Sequence, residues 1–485
     1  MFGGLTKTSS RIAIAAALGL ALGGYAMSTP AKAADLGGDC CADLEERVAE
    51  LEATTVRKGN KKVSVTLSGW VVKSFNYWDD GSIDSTFVGD KGYDLGSRFA
   101  ITGQATIAPG WTGGYNLTIL ATSNLFATAG TLANSNQIDE SGGTFFTQGF
   151  NPLYSYMYIK SDKYGALNWG TLSPASDNPA VLADLSGTVI ESNSVFFEGA
   201  SFLLRPNGGG GGFGGLGGLA WQDFLTCNGL GLGIGTDCFG AAMPAVRYDS
   251  PTFGGFRFET SYGTNTLTGP LPTPDSNFWD IAAFYTGDWG NFKVSAAYAF
   301  TWMESSVVTG GRSNLNQVGA SIMHTPSGLG IYGMYQQEDT RGFNAAGSTV
   351  ADTDAWYLKP FIKKTWSPLG ATTLFGEYGQ YNDQFGGQAG VNQCGIGFAI
   401  LGTNSGAFCA AAAGNTLFVT GSEVERYGLG VVQEIDSAAM HLFARWQHQD
   451  LDLDLVGVTA GGAAGGVGQG FDNWDLFQVG GVIFF

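Results

Sequence analysis

The sequence predicts an all-β fold: a sixteen-stranded antiparallel transmembrane β-barrel with a long third loop folded into its lumen. Three observations carry this. From Lys62 onward, short segments alternate apolar and polar side chains. Tight turns and long excursions take turns along the chain. Aromatic residues recur beside the tight turns. Composition agrees, with 76 Gly, 13% aromatic and only 14% charged residues among 485. The formal net charge of −18 disfavours a nucleic-acid partner, which needs basic surface.

The N-terminus reads as a secretory signal over residues 1–33. Lys7 and Arg11 supply the positive region, Ile12 to Leu22 the apolar core, and Ala31-Lys32-Ala33 a small-residue cleavage site. That apolar run is too short to span about 30 Å of hydrocarbon as a helix. Residues 34–61 form a separate periplasmic segment. Leu44, Val48 and Leu51 fall at 4-3 spacing, which predicts a short helix able to form a coiled coil between subunits.

The barrel occupies residues 62–485. Val63, Val65, Leu67, Gly69 and Val71 alternate with Ser64, Thr66 and Ser68. Phe99, Ile101, Gly103, Ala105 and Ile107 oppose Arg98, Thr102, Gln104 and Thr106, and Tyr115, Leu117 and Ile119 oppose Asn116 and Thr118. Apolar-out, polar-in strands produce this pattern, although a sandwich buried on one side does too. Turn spacing decides. Short turns are expected at Pro109-Gly110, Asp162-Lys163, Pro251-Thr252, Gly287-Asp288, Pro326-Ser327, Pro368-Leu369 and Ile435-Asp436. Seven short turns alternate with eight long excursions, so fifteen connections join sixteen strands. Trp111, Tyr164, Phe253, Trp289 and Trp366 sit beside short turns, as an aromatic girdle at one interface requires. The third excursion, residues 173–244, is by far the longest, and loops of that length inside a compact fold are functional or disordered.

The six Cys fall in three close pairs. Cys227 with Cys238, and Cys394 with Cys409, are disulfide candidates that each close a local loop. Adjacent Cys40 and Cys41 are open to either free or interchain states. None has the spacing of a zinc or redox site. The segment ending at Phe485 places Phe477, Val479, Gly481, Ile483 and Phe485 on one face, suiting a strand that closes the barrel.

Several stretches together resemble the alphaproteobacterial porins of the Rhizobiales type, trimeric general-diffusion channels of the outer membrane. They include DLEERVAELEATTVRKGNKKVSVTLSGWV from Asp43, SRFAITGQATIAPGWTGGY from Ser97, SPASDN from Ser173, DLSGT from Asp184 and VRYDSPTFGGF from Val246. The resemblance implies a sixteen-stranded barrel, a third loop in the lumen and a homotrimer set in outer-membrane lipid and lipopolysaccharide. Gln478, Gly480, Ile483 and Phe485 look like the assembly signal read by the barrel assembly machinery. Ala34-Asp35, exposed by cleavage after Ala33, resembles the pair through which some relatives are linked to peptidoglycan. The Gly tract at 208–218 departs from the family pattern.

No catalytic constellation, metal site or cofactor motif stands out, and the chain is not expected to be an enzyme. His324, His441 and His448 are scattered, and the Gly tract lacks the Lys and following helix of a phosphate cradle. Asp450, Asp452 and Asp454 share a face, read first as a solvated strand extension above the bilayer and second as a divalent-cation site bridging lipopolysaccharide phosphates. The informative charges are those aimed inward. Strand parity sends Arg98, Arg247, Arg257, Lys359, Arg426 and Arg445 to the pore wall, and the third loop offers Asp177, Asp184, Glu191 and Glu198. Acids on the loop facing bases on the wall would create a transverse field across the passage, or would pair and fix the loop. The expected function is passive diffusion of small hydrophilic solutes and ions across the outer membrane, with a mild cation preference from the acid excess. The alternatives are a barrel serving as a peptidoglycan-linked anchor, or a solute-specific channel, which would need an aromatic track in the lumen.

Overall fold

A strand with one apolar and one polar face is stable in a bilayer only if every backbone group finds a partner on a neighbouring strand, which demands closure. The computed structural model shows that closure. It describes residues 62–81, 84–90, 96–122, 149–194, 204, 221–225, 242–264, 277–305, 311–341, 352–384, 410–411, 415–459, 464–467 and 470–485. Sixteen staves form the barrel: β1 (Ser64–Asp79), β2 (Arg98–Ala108), β3 (Trp111–Thr122), β4 (Gly149–Ser161), β5 (Gly165–Leu172), β6 (Met243–Asp249), β7 (Phe256–Thr264) and β8 (Asn277–Trp289). The second half comprises β9 (Phe292–Ser305), β10 (Gly311–His324), β11 (Leu329–Arg341), β12 (Thr353–Ser367), β13 (Gly370–Asn382), β14 (Asn415–Ile435), β15 (Met440–Thr459) and β16 (Trp474–Phe484). Three short strands at Asp84–Gly89, Ala410–Ala411 and Ala464–Val467 extend the long connections beyond the staves.

Each stave pairs antiparallel with its sequence neighbours, and β1 closes on β16 from Trp70↔Phe484 to Asp79↔Asp475. Gly69 and Phe485 exchange both backbone hydrogen bonds at the seam, at 2.8 and 3.1 Å. The count and the alternation of short and long connections match the turn spacing. One turn is corrected. Gly287 stays in the ladder opposite Val294, and the reversal falls at Gly290-Asn291, with Trp289 opposite Phe292. Gly290 takes a φ of 63°, a left-handed conformation that costs glycine nothing, so the second glycine turns the chain.

The two faces follow the alternation. Leu67, Val71, Phe75, Ile107 and Leu117 are exposed on the outside, whereas Ser74, Asn76 and Thr118 are buried on the inside. The girdle residues Trp111, Tyr164, Phe253, Trp289 and Trp366 are all outward and exposed, and Trp111 and Tyr164 pair across 6.2 Å. Among the described residues no helix is long and apolar enough to cross a membrane; strands do so. The expected N-terminal segments, including Ala34, Asp35, Cys40 and Cys41, lie outside the described residues.

The seam between the first and last staves is held by more than backbone. Gln478, inward and 1% exposed, donates to Asn76 Oδ1 at 2.7 Å and to Ser74 Oγ at 3.3 Å. Ile483 and Phe485 instead point outward, 44% and 55% exposed, and Gly480 lies against Lys73 and Phe443. Replacing Gln478 by Leu removes one hydrogen bond from each of two buried polar groups that still bond each other, a cost of about 0.5–1.5 kcal/mol per bond. The expected result is a lower urea midpoint for the folded barrel; an unchanged midpoint would refute the seam's dependence on this side chain.

Candidate functional site

The site is built where the third connection turns inward. Residues 173–194 leave β5, enter the lumen and run around its wall from β6 toward β15. At the root, the Ser173 carbonyl accepts from Arg247 Nη1 of β6 at 2.7 Å, and Arg247 Nε pairs with Asp249 at 2.8 Å. The Ala175 N–H donates to Ser261 Oγ of β7 at 3.0 Å. Ser176 donates through backbone and hydroxyl to Asp280 of β8, at 2.8 and 2.7 Å. Gln317 of β10 donates to the Ser176 carbonyl at 2.7 Å, and Tyr332 of β11 donates to the Ala180 carbonyl at 2.8 Å.

A single helical turn, α1 (Pro179–Leu182), follows Asn178, whose φ of 65° is tolerated by an Asn better than by most side chains. Pro179 at the first helical position gives up no hydrogen bond there. The turn is pressed against β10 so closely that a Cβ on Gly319 would stand 2.1 Å from the Ala180 carbonyl oxygen. Only glycine leaves room.

Beyond α1 the contacts become ionic. Lys359 of β12 and Asp184 are both fully buried and pair at 2.9 Å; Lys359 also donates to Thr188 Oγ1 at 3.1 Å and to the Ser192 carbonyl at 2.5 Å. Thr373 of β13 donates to the Ser186 carbonyl at 3.2 Å. Glu377, also of β13, accepts from Ser192 Oγ and, at 2.5 Å, from Tyr357 OH. Tyr381 OH reaches the Ser194 carbonyl at 2.6 Å, and Arg426 of β14 the Asn193 carbonyl at 2.5 Å. On β15, Arg445 donates to the Glu191 carbonyl at 3.0 Å while His441 Nδ1 meets Glu191 Oε1 at 2.7 Å.

All six expected basic residues face the lumen, but they do not form one array. Lys359, Arg426 and Arg445 grip the loop. Arg257 pairs with Glu259 at 2.7 Å, with its guanidinium 4.4 Å from the Phe284 ring centroid. Arg98 lies 4.2 Å over the Trp70 ring on the far wall. Of the expected acids, Asp184 and Glu191 are tied to wall residues, and Asp177 accepts hydrogen bonds from neighbouring Ser173 and Asn178. Asp184 and Glu191 are therefore fasteners in direct contact with the wall, as one of the two readings of the charge pattern anticipates.

Glu198 and the Gly tract at 208–218 lie outside the described residues. So do all four cysteines of the two expected loop-closing disulfides: Cys227 and Cys238 in the third connection, and Cys394 and Cys409 in the connection after β13.

Residues that parity could have found but that composition alone passes over are the inward acids Glu259, Asp280, Glu338 and Glu377. Each sits on a stave in the same phase as the basic positions and is nearly or fully buried. Farther along the same connection, Trp221, Phe224 and Leu225 are buried with Val72, Trp78, Val424, Leu451 and Trp474, making an apolar cluster on inward faces of β1 and β14–β16.

Across the lumen from the gripped loop, the inner faces of β1–β4 border a recess of about 530 Å³. It is lined by Ser68, Trp70, Arg98, Asn116, Tyr154, Tyr156 and, at the loop root, Ser173 and Arg247. A barrel of sixteen staves leaves room for such an aqueous passage even with a loop inside.

A family model described as Gram-negative porin matches residues 15–452. Two of the solved structures that share the fold illustrate the likeness. The anion-selective porin from Comamonas acidovorans is 17% identical, aligning 87% of this chain with 100% of its own, at a TM-score of 0.51. OprB from Pseudomonas putida, in its high-pH structure, is 10% identical, aligning 91% of this chain with 97% of its own, at a TM-score of 0.52. No curated protein matches the chain.

Proposed function

Since the chain belongs to the Gram-negative porin family, an outer-membrane β-barrel that passes solutes by passive diffusion, we propose that residues 173–194 set the width of its passage. One observation carries this: the Lys359–Asp184 pair, fully buried inside the barrel, fixes the loop against β12. The free cross-section then lies on the β1–β4 side, lined by Arg98, Asn116, Tyr154 and Tyr156. Family and fold are those of channels, and no enzymatic role enters the proposal.

A homotrimer is part of the same reading. Its support is the resemblance of the sequence to trimeric porins and the short coiled-coil helix expected within residues 34–61. Three further features complete the proposal: export by the segment 1–33, a peptidoglycan link through Ala34-Asp35, and loop-closing disulfides joining Cys227 to Cys238 and Cys394 to Cys409. In planar bilayers the purified protein should give ohmic steps grouped in threes. Well-folded protein without any conductance would refute the channel, and steps that come singly would refute the trimer.

A further inference from the structure

Residues 173–194 press most of their side chains against the wall, and Leu182 departs from that pattern. It ends α1 with its side chain 58% exposed inside the lumen. Among the described residues, every other large apolar side chain so exposed lies on an outward strand position or at a short turn. The backbone of α1 does not depend on this side chain: the Leu182 N–H closes the turn on the Asn178 carbonyl at 2.9 Å. Leu182 borders a recess of about 390 Å³ between α1 and the inner faces of β7–β9, which Ala183, Arg257, Phe284, Thr286 and Ser295 also line. A volume of this order is typical of small-molecule sites. The recess shares no lining residue with the one on β1–β4.

Resting on the channel reading above, we propose that this recess is a weak binding subsite for short-chain aliphatic carboxylates in transit. The charge it presents is one-sided. Arg257 Nη1 pairs with Glu259 at 2.7 Å, yet the carboxylate side chain is 7% exposed and the arginine side chain 41%. Glu259 is not a lining residue, so a solute in the recess meets the cation and not the acid. A guanidinium carries five N–H donors, and a carboxylate can accept from those that Glu259 does not engage. The nearest other acids are held elsewhere, Asp249 by Arg247 and Asp280 by Ser176 and Ser261. Leu182, Ala183 and Phe284 then cover the hydrocarbon chain, whose removal from water supplies the attraction. Head and tail are both needed: a bare anion gains nothing from Leu182, and an apolar cation meets Arg257.

The test uses the full-length protein in planar bilayers at neutral pH, with every block measured against the KCl current of the same channel. Added hexanoate should halve the current at lower concentration than acetate, which lacks the chain. Hexylamine, the cationic counterpart, should block least. Leu182→Ser should raise the half-blocking concentration of hexanoate roughly tenfold, equivalent to about two methylene groups returned to water, and leave that of acetate where it was. Arg257→Gln should weaken block by both carboxylates. The subsite is overturned by hexanoate no stronger than acetate, by hexylamine as strong as hexanoate, or by either variant blocked by hexanoate as well as the parent. Where Arg257→Gln fails to assemble because Glu259 is left buried, Leu182→Ser and the ranking of the three solutes decide. Absence of any KCl current would overturn the channel reading itself, whereas KCl current with no block overturns the subsite alone.

Discussion

Lys359→Met should release the loop. In the folded protein Lys359 is the sole described cation within ion-pair distance of Asp184, and both are fully buried. Removing one member of such a pair costs about 3–5 kcal/mol, because the remaining charge stays desolvated. The staves are joined by their own backbone ladder, so the barrel does not bear that cost. The loop does: it can leave the wall and return Asp184 to water, and undocking sets the upper limit of the loss. The expected outcome is a barrel that still migrates as folded, with larger and noisier single-channel conductance and new protease cleavage between Ser173 and Ser194. Lys359→Met combined with Asp184→Leu should dock again and restore much of the parental conductance, since neither partner is then an unpaired charge. A Lys359→Met channel with parental conductance and protection would show that the hydrogen bonds to β8, β10 and β11 suffice.

Gly319→Val tests the same docking by shape instead of charge. The new Cβ would lie 2.1 Å from the Ala180 carbonyl oxygen and 2.7 Å from its carbonyl carbon. Those atoms are backbone and cannot rotate away, so α1 must lift from β10 and break the Tyr332–Ala180 and Gln317–Ser176 hydrogen bonds. Overpacking of this kind costs about 1–3 kcal/mol. The channel is expected to carry more current at unchanged ladder stability. Gly333→Ala is the control: on the outer face its Cβ meets the tip of Leu358 at 3.3 Å and the Tyr357 carbonyl oxygen at 3.6 Å, with no backbone atom closer. Equal conductance in the two variants would disprove the close-packed loop.

The staves were legible because their signals are local. Alternation, a turn every few dozen residues and a ring beside five of the seven short turns all lie within one hairpin, and sixteen strands follow from counting. The misplaced turn had a local cause too. Gly287 and Gly290 both offer reversal, and only backbone register separates them. The site was legible in part. Parity put Arg98, Lys359 and Arg445 inside, because it depends on nothing beyond the strand. It could not say that Lys359 would meet Asp184 across 175 residues of chain, or Arg445 the Glu191 carbonyl across 254. Such partners are fixed by barrel curvature. Applying parity to basic residues alone also hid Asp280 and Glu377, so the loop acids looked like the lumen's negative charge. The aromatic grouping of Trp70, Tyr154, Tyr156 and Phe484 around the recess on β1–β4 was missed for a different reason. Its members come from β1, β4 and β16, and only closure of the first stave on the last brings them together.

The loop's path around the wall also orders events in time. Its anchors begin on β6 and end on β15, so the segment made early in the chain has no complete berth until nearly the last stave is in place. Contacts far apart in sequence form slowly, since the intervening chain must be ordered first. If docking of residues 173–194 is slower than closure at the Gly69–Phe485 seam, the two are separate steps and the barrel is expected to be wide first and narrow afterwards. A newly inserted molecule should leak before it sieves, and the delay between these states measures how fast the berth fills.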